Sequence, residues 1–141
     1  MSLIFFDTNL FVYWFEDHPE FAEKVGQIYT RIRQRRDRLC TSAITLGELL
    51  AGPAARKDDG LTGRYKAYLR PPNVEMLCFD PGTAEHYARI RADRTITRAD
   101  AIQLACAVQA RVDLFLTNDR RLSRKVVPGI QFIADLDVNV L

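Results

Sequence analysis

Short apolar runs recur along the chain with helical patterns between them, and that alternation constrains the fold more than any other feature. Leu3–Phe6, Leu39–Thr41, Val74–Phe79, Leu114–Thr117 and Ile130–Ile133 read as strands. Between them, Phe21–Arg36 puts Phe21, Val25, Ile28, Tyr29 and Ile32 on one stripe of a helix. Ile44–Ala51, Leu61–Leu69, Thr83–Arg94, Ala99–Arg111 and a short Asp119–Val126 complete the helical set. Pro71-Pro72 and Pro128-Gly129 act as stops. Strands separated by helices pair in parallel, and continuous apolar runs suit strands covered on both faces. The expected architecture is α/β: a single α/β/α sandwich with a central, mainly parallel sheet, spanning residues 1–141 as one domain. An α+β arrangement is the alternative.

Within this pattern the acids fall at unexpected places. In "LIFFDTNLFVYWF", residues 3 to 15, an apolar strand runs directly into Asp7. A carboxylate at the end of a buried strand is costly unless something compensates it. Glu48 lies in the helix after the second strand, Asp100 in the first turn of a later helix, and Asp119 at the end of the fourth strand. Each has a structural explanation. Asp7 or Asn9 can cap a helix, and so can Asn118 or Asp119. Thr45 with Glu48, and Thr97 with Asp100, have capping-box spacing. Capping, however, needs one acceptor per helix. In an open parallel sheet the C-terminal strand ends share one edge, and ligands bind in the crevice there. Asp7, Glu48 and Asp119 are therefore expected to converge. Asp100 follows a helix, so this reasoning places it less directly.

Carboxylates about 4 Å apart repel by roughly 1 kcal/mol in water and by more in a sheltered crevice. A divalent cation relieves that repulsion. Oxygen ligands without His or Cys suit Mg²⁺ or Mn²⁺ rather than zinc. His18 and His86 have no ligand spacing. Such a site can orient and deprotonate a water for attack on a phosphodiester.

Composition narrows the alternatives. Apolar residues make up 48% of the chain and charged residues 27%, as in ordinary globular proteins. A net charge of +2 is too small to argue for a nucleic-acid partner, so the distribution of charge matters more. Cys40, Cys78 and Cys106 show no CxxC spacing and read as reduced core thiols of a cytoplasmic protein. The N-terminal apolar stretch lacks a basic flank and is broken by Asp7 and Asn9, so it does not read as a signal peptide. No run is long enough to span a membrane. Neither a P-loop nor a GxGxxG appears, and Cys/His nucleophile spacings are missing. A dehalogenase-type phosphatase needs a second acid at the position held by Asn9, and a receiver domain needs a mid-chain Asp with a late Lys.

The stretches "FFDTN", "TSAITLGELLAG", "RADAIQLACAV" and "LFLTNDRRL" occur in this order across almost the whole chain. In these the chain resembles PIN-domain endoribonucleases, most of all the VapC toxins of bacterial and archaeal toxin–antitoxin pairs. The resemblance places the family's acidic quartet on Asp7, Glu48, Asp100 and Asp119. It implies that these bind Mg²⁺ or Mn²⁺ and position the water that cleaves RNA. It puts supporting polar roles on Asn9, Ser42 and Thr117. It also implies a cognate antitoxin, whose segment would lie in an apolar groove near Tyr13 or Trp14, and a homodimer. A catalytically silent RNA-binding or scaffolding module is the competing reading. The segment Ala51–Pro71 matches nothing in the family pattern.

Three basic groups stand out. Arg31, Arg33, Arg35, Arg36 and Arg38 crowd one helix end, where the helix dipole alone would favour them. Arg89, Arg91, Arg94 and Arg98 precede Asp100, and Arg120, Arg121, Arg124 and Lys125 follow Asp119. Arg98, Arg120 and Arg121 are the RNA-binding candidates, because phosphates must approach the acidic rim and arginine binds them bidentately.

Overall fold

The computed structural model describes residues 1–137 and 141. The elements are β1 (Leu3–Phe6), α1 (Thr8–Phe15), α2 (Ala22–Gln34), β2 (Arg38–Ser42), α3 (Ala43–Ala55), α4 (Asp59–Tyr68), β3 (Glu75–Leu77), α5 (Pro81–Ile90), α6 (Arg98–Ala110), β4 (Leu114–Leu116), α7 (Arg120–Ser123) and β5 (Phe132–Ala134). The strands form one five-stranded sheet in the order β3-β2-β1-β4-β5. Every pairing is parallel. The expected sandwich, with β1 central, is what the chain builds.

Side chains alternate across each strand, and here both faces are apolar because helices cover both. Leu3, Phe5, Cys40 and Phe115 face a core closed by Ala101, Leu104, Ala105 and Ile90 of α5 and α6. Phe5 and Phe115 stack with ring centroids 4.7 Å apart. Ile4, Phe6, Leu39, Leu114 and Leu116 face the other way, onto Leu10, Phe11, Val25, Ile32 and Leu49 of α1, α2 and α3. Full burial of such a side chain contributes about 1.5–3 kcal/mol.

Some boundaries differ from expectation for identifiable reasons. α3 runs on through Gly52 and Pro53 to Ala55. A proline forfeits one backbone hydrogen bond, but Pro53 is buried and α4 packs against this part of α3. The unmatched segment after Ala51 is thus the helical pair α3–α4. α5 starts at Pro81 because Asp80 caps it through Thr83 N–H at 2.9 Å. It ends at Ile90, and residues 91–97 form a loop in which the Arg91 guanidinium holds the Ile96 carbonyl. α7 is a single turn that stops at Ser123. Of the three cysteines, Cys40 and Cys106 are buried but Cys78 is exposed, against the expectation of three core thiols. Burial pushes the Cys106 thiol up to about 11.

Candidate active site

β1 delivers Asp7 to the C-terminal edge of the sheet. The chain leaves the strand in extended geometry (φ −67°, ψ 158°), and the Asp7 carboxylate caps α1 by accepting Thr8 N–H at 2.9 Å. Capping therefore does occur here, yet it satisfies only part of the carboxylate. The same oxygen, Oδ1, accepts from Gln103 Nε2 at 3.2 Å, and Oδ2 accepts from Thr117 Oγ1 at 2.8 Å. Asp7 is only 8% exposed. Thr117, at the end of β4, also receives Asp119 N–H at 3.2 Å and Asn9 Nδ2 at 3.5 Å. Asn9 Oδ1 in turn accepts Asn118 N–H at 3.4 Å. Asn9 and Thr117 thus sit in the network that holds Asp7.

Ser42 ends β2 and caps α3, receiving Thr45 N–H at 3.3 Å. The cap is Ser42, so the Thr45–Glu48 spacing does not form a capping box. Thr45 and Glu48 instead face inward and outward along the first turns of α3. Glu48 is exposed and has no hydrogen-bond partner among the described residues. Its proton affinity is raised by partial desolvation and then by the charges of Asp7 and Asp100.

α5 and α6 run antiparallel, with Gly82 in the first turn of α5 close to Gln109 near the end of α6. α6 leads straight into β4, whose entrance is held at the N-terminal edge by Asp113 N–H to the Leu3 carbonyl at 2.8 Å. So α6 begins at the C-terminal edge, where Gln103 reaches Asp7, and this is how Asp100 joins the other acids without following a strand. Thr97 caps α6, its hydroxyl accepting Asp100 N–H at 3.1 Å. Desolvation raises the proton affinity of Asp100. The Thr97 hydrogen bond opposes this, Asp7 and Asp119 add to it, and Arg121 offsets a little. Asp119 caps α7 through Arg121 N–H at 3.0 Å.

The four acids therefore form one linked group, although they come from four separate segments: Glu48 feels Asp7 and Asp100, and Asp100 feels Asp7 and Asp119. Among the described residues, no three acids, histidines or cysteines stand in an arrangement that could hold an ion as placed. By donor chemistry the quartet fits a hard divalent cation. Gathering three carboxylates onto one ion requires side-chain rotation, for which exposed Glu48 has the most freedom.

The basic groups separate. Arg31–Arg38 lie at the opposite, N-terminal edge of the sheet, where Arg35 pairs with Asp37 at 2.9 Å and Arg38 with Glu75 at 2.8 Å. Arg120 is paired with Asp137, away from the acids. Arg121 is 86% exposed at its side chain, with Nε 3.7 Å from Asp119. Arg98 is exposed in the same turn as Asp100. The crevice thus has Arg98 and Arg121 at its rim, while Arg120 is turned to Asp137.

The sequence reading missed Gln103, which touches Asp7, Thr8, Ser42 and Thr45. A signal was present. Gln103 lies one turn beyond Asp100, as one polar side chain within "AIQLACAV", a stretch otherwise suited to a buried helix.

A model of the PIN domain family matches residues 4–127. The chain belongs to the PIN-domain family. Three solved structures share its fold. VapBC2 from Rickettsia felis bound to a DNA fragment from its promoter aligns at a TM-score of 0.75 with 18% identity, covering 94% of this chain and 98% of the other. A toxin–antitoxin complex from Klebsiella pneumoniae aligns at 0.69 with 21% identity, covering 90% and 94%. DNA-bound VapBC from Salmonella typhimurium aligns at 0.68 with 27% identity, covering 96% and 99%. The resemblance to VapC-type PIN domains holds for family and fold. No curated protein sequence matches the chain.

Proposed function

We propose that this protein is a Mg²⁺- or Mn²⁺-dependent endoribonuclease and the toxin of a VapBC-type toxin–antitoxin pair. The observation that carries the reading is the convergence of acids from separate segments: desolvation first, and beyond it the charge of Asp7 at the end of β1, raise the proton affinity of both Glu48 on α3 and Asp100 on α6. Raised carboxylates gathered at one edge of a sheet are candidates for a functional site. Asp7, Glu48, Asp100 and Asp119 would hold the cation. Bound there, the cation supplies Lewis-acid polarisation and makes deprotonation of a water accessible near neutral pH.

The remaining work falls to this chain's own side chains. Thr117, with Asn9 behind it, keeps the Asp7 carboxylate in place. Ser42 starts α3 and thereby sets where Glu48 points. Arg98 and Arg121 attract the RNA backbone to the rim. With water as the nucleophile, the products carry 5′-phosphate and 3′-hydroxyl ends. The antitoxin would cover an aromatic face where Trp14 meets Tyr29 and Phe15 meets Tyr65, with centroids 4.7 and 4.9 Å apart. Tyr68, 57% exposed, extends that face. The family resemblance adds a homodimer, which sedimentation of the purified chain would test. No helix among the described residues is long and apolar enough to cross a membrane.

The spread of the acids favours one competitor, a silent RNA-binding module. Incubation with RNA in Mg²⁺, Mn²⁺ or EDTA separates the two. Metal-dependent cleavage that disappears in Asp7→Asn supports the nuclease. Binding without cleavage, with no melting-temperature response to millimolar Mn²⁺, supports the silent module.

A further inference from the structure

Gln103 is 3% exposed on an otherwise apolar helix face, flanked by buried Ala101, Leu104 and Ala105. Its contacts span three helices: α6 itself, α1 through Thr8, and α3 through Thr45. They also reach the ends of two strands, through Asp7 and Ser42. We propose that Gln103 is the positioning residue of the acidic crevice, its carboxamide fixing the orientation of Asp7 and Thr8. This rests on the reading that the acids hold a divalent cation.

The hydrogen-bond inventory allows one orientation of the amide. An ionised carboxylate only accepts, so the Gln103 atom beside Asp7 Oδ1 must be the nitrogen. Ser42 Oγ already receives Thr45 N–H, and its single hydrogen goes to Gln103 Oε1. That bond keeps the amide from turning over. Nε2 has two hydrogens and three acceptors in reach: Thr45 Oγ1 at 2.7 Å, and Asp7 Oδ1 and Thr8 Oγ1 at 3.2 Å each. The shortest contact takes one hydrogen, and the other is shared by Asp7 and Thr8.

The consequence passes on to Thr8. Fully buried Thr45 accepts from Gln103, and its hydroxyl lies 2.9 Å from Thr8 Oγ1, a pair in which either oxygen can donate. Half-buried Thr8 is thus tied to both Gln103 and Thr45, and its hydroxyl is held beside Asp7. An apolar side chain of similar size would fill the same space. A polar network that is fully satisfied does something more, since it specifies a single arrangement. Here that arrangement includes one oxygen of Asp7.

The test uses Gln103→Met, which keeps the volume and removes both hydrogen-bonding atoms, together with Ser42→Ala and the double variant. Calorimetric Mn²⁺ affinity, melting temperature, and kcat and KM on an RNA oligonucleotide are measured for each. Outer partners of metal ligands typically contribute about 10–100-fold in affinity or activity. Gln103→Met is expected to melt within a few degrees of wild type, to bind Mn²⁺ in that range more weakly, and to lose kcat with KM for RNA unchanged. Ser42→Ala is expected to weaken Mn²⁺ binding several-fold on its own and to add less than that once Gln103 is Met, because part of its effect passes through Gln103 and the rest through the α3 cap.

Wild-type Mn²⁺ affinity in Gln103→Met overturns the proposal, and so does full additivity of the two changes. Should Gln103→Met fail to fold, Ser42→Ala carries the same decision, and unchanged Mn²⁺ affinity there overturns it. A wild-type protein that binds no Mn²⁺ removes the metal site and the role of Gln103 together. Wild-type binding with unaffected variants removes only the role.

Discussion

At the N-terminal edge of the sheet Asp37, Glu75 and Asp113 each have a donor. Asp37 accepts Ser2 N–H at 2.8 Å and pairs with Arg35. Asp113 accepts Leu3 N–H at 2.8 Å, and Glu75 pairs with Arg38. At the C-terminal edge Asp7 and Asp119 also accept hydrogen bonds, but Glu48 and Asp100 are held among like charges, and Arg121 lies 3.7 Å from Asp119. The contrast separates two uses of a carboxylate. One pins a chain terminus or strand entrance and is neutralised where it stands. The other is kept among like charges at a cost that folding alone does not require.

The sharpest way to break this comparison is to remove one acid from each edge. Asp7→Ala is expected to lose far more RNA cleavage than the roughly 10–100-fold typical of outer-partner changes. Asp37→Ala should leave cleavage intact and lower stability by about 1 kcal/mol, the usual net value of a hydrogen bond. Equal cleavage by the two variants would erase the distinction between the edges.

Charge reversal gives a smaller effect. Arg121→Glu should weaken RNA binding and reduce the slope of log affinity against log salt by about one. Arg33→Glu, at the opposite edge, should change neither. Arg120→Glu should fall between them, since Arg120 is held by Asp137. A filter-binding series at several salt concentrations reads all three.

Smaller still is the effect of relieving the repulsion. Glu48→Gln removes a raised carboxyl that has no hydrogen bond to lose. It should raise the melting temperature slightly in EDTA at neutral pH and shrink the stabilisation produced by Mn²⁺. An unchanged Mn²⁺ response would take Glu48 out of the site.

The subtlest prediction concerns pH. Glu48 and Asp100 bind their protons more tightly in the fold than in the unfolded chain. Their protonated forms therefore favour folding. That stability is complete below the ordinary carboxylate range and is lost as pH rises through the raised folded values. In EDTA, the wild type should lose stability between acid and neutral pH relative to a Glu48→Gln, Asp100→Asn double variant. Parallel pH curves would show that the crevice stores no repulsion.

The sequence made the layer order readable because apolar runs and helical stripes have different periods, and both survive in the fold. Asp7 and Asp119 were readable because strand ends in a parallel sheet share an edge. Asp100 was harder: its place follows from α6 leading into β4, so that the helix must start at the edge where the parallel strands end, a step that reads the helix from its far end rather than from the strand before it. The choice of Ser42 over Thr45 as the α3 cap turned on a few residues of helix start, where propensities are nearly equal. Gln103 was missed because a lone glutamine in an apolar helix announces burial without naming its partners. Those partners lie as much as 96 residues away. The far end of α3, expected at Ala51, differs for the opposite reason: the helix continues through Pro53 to Ala55, where packing outweighs the lost backbone hydrogen bond.

The hydrogen bond from Thr117 to Asp7 joins residues 110 positions apart. A ribosome emits Asp7 almost at once, but the strand that seats it arrives only after most of the polypeptide is made. Until β4 pairs with β1, a growing chain carries Asp7, Glu48 and Asp100 without the pocket that unites them. The long reach of that single contact means that Asp7 is seated only once the strand leading to Thr117 has been made.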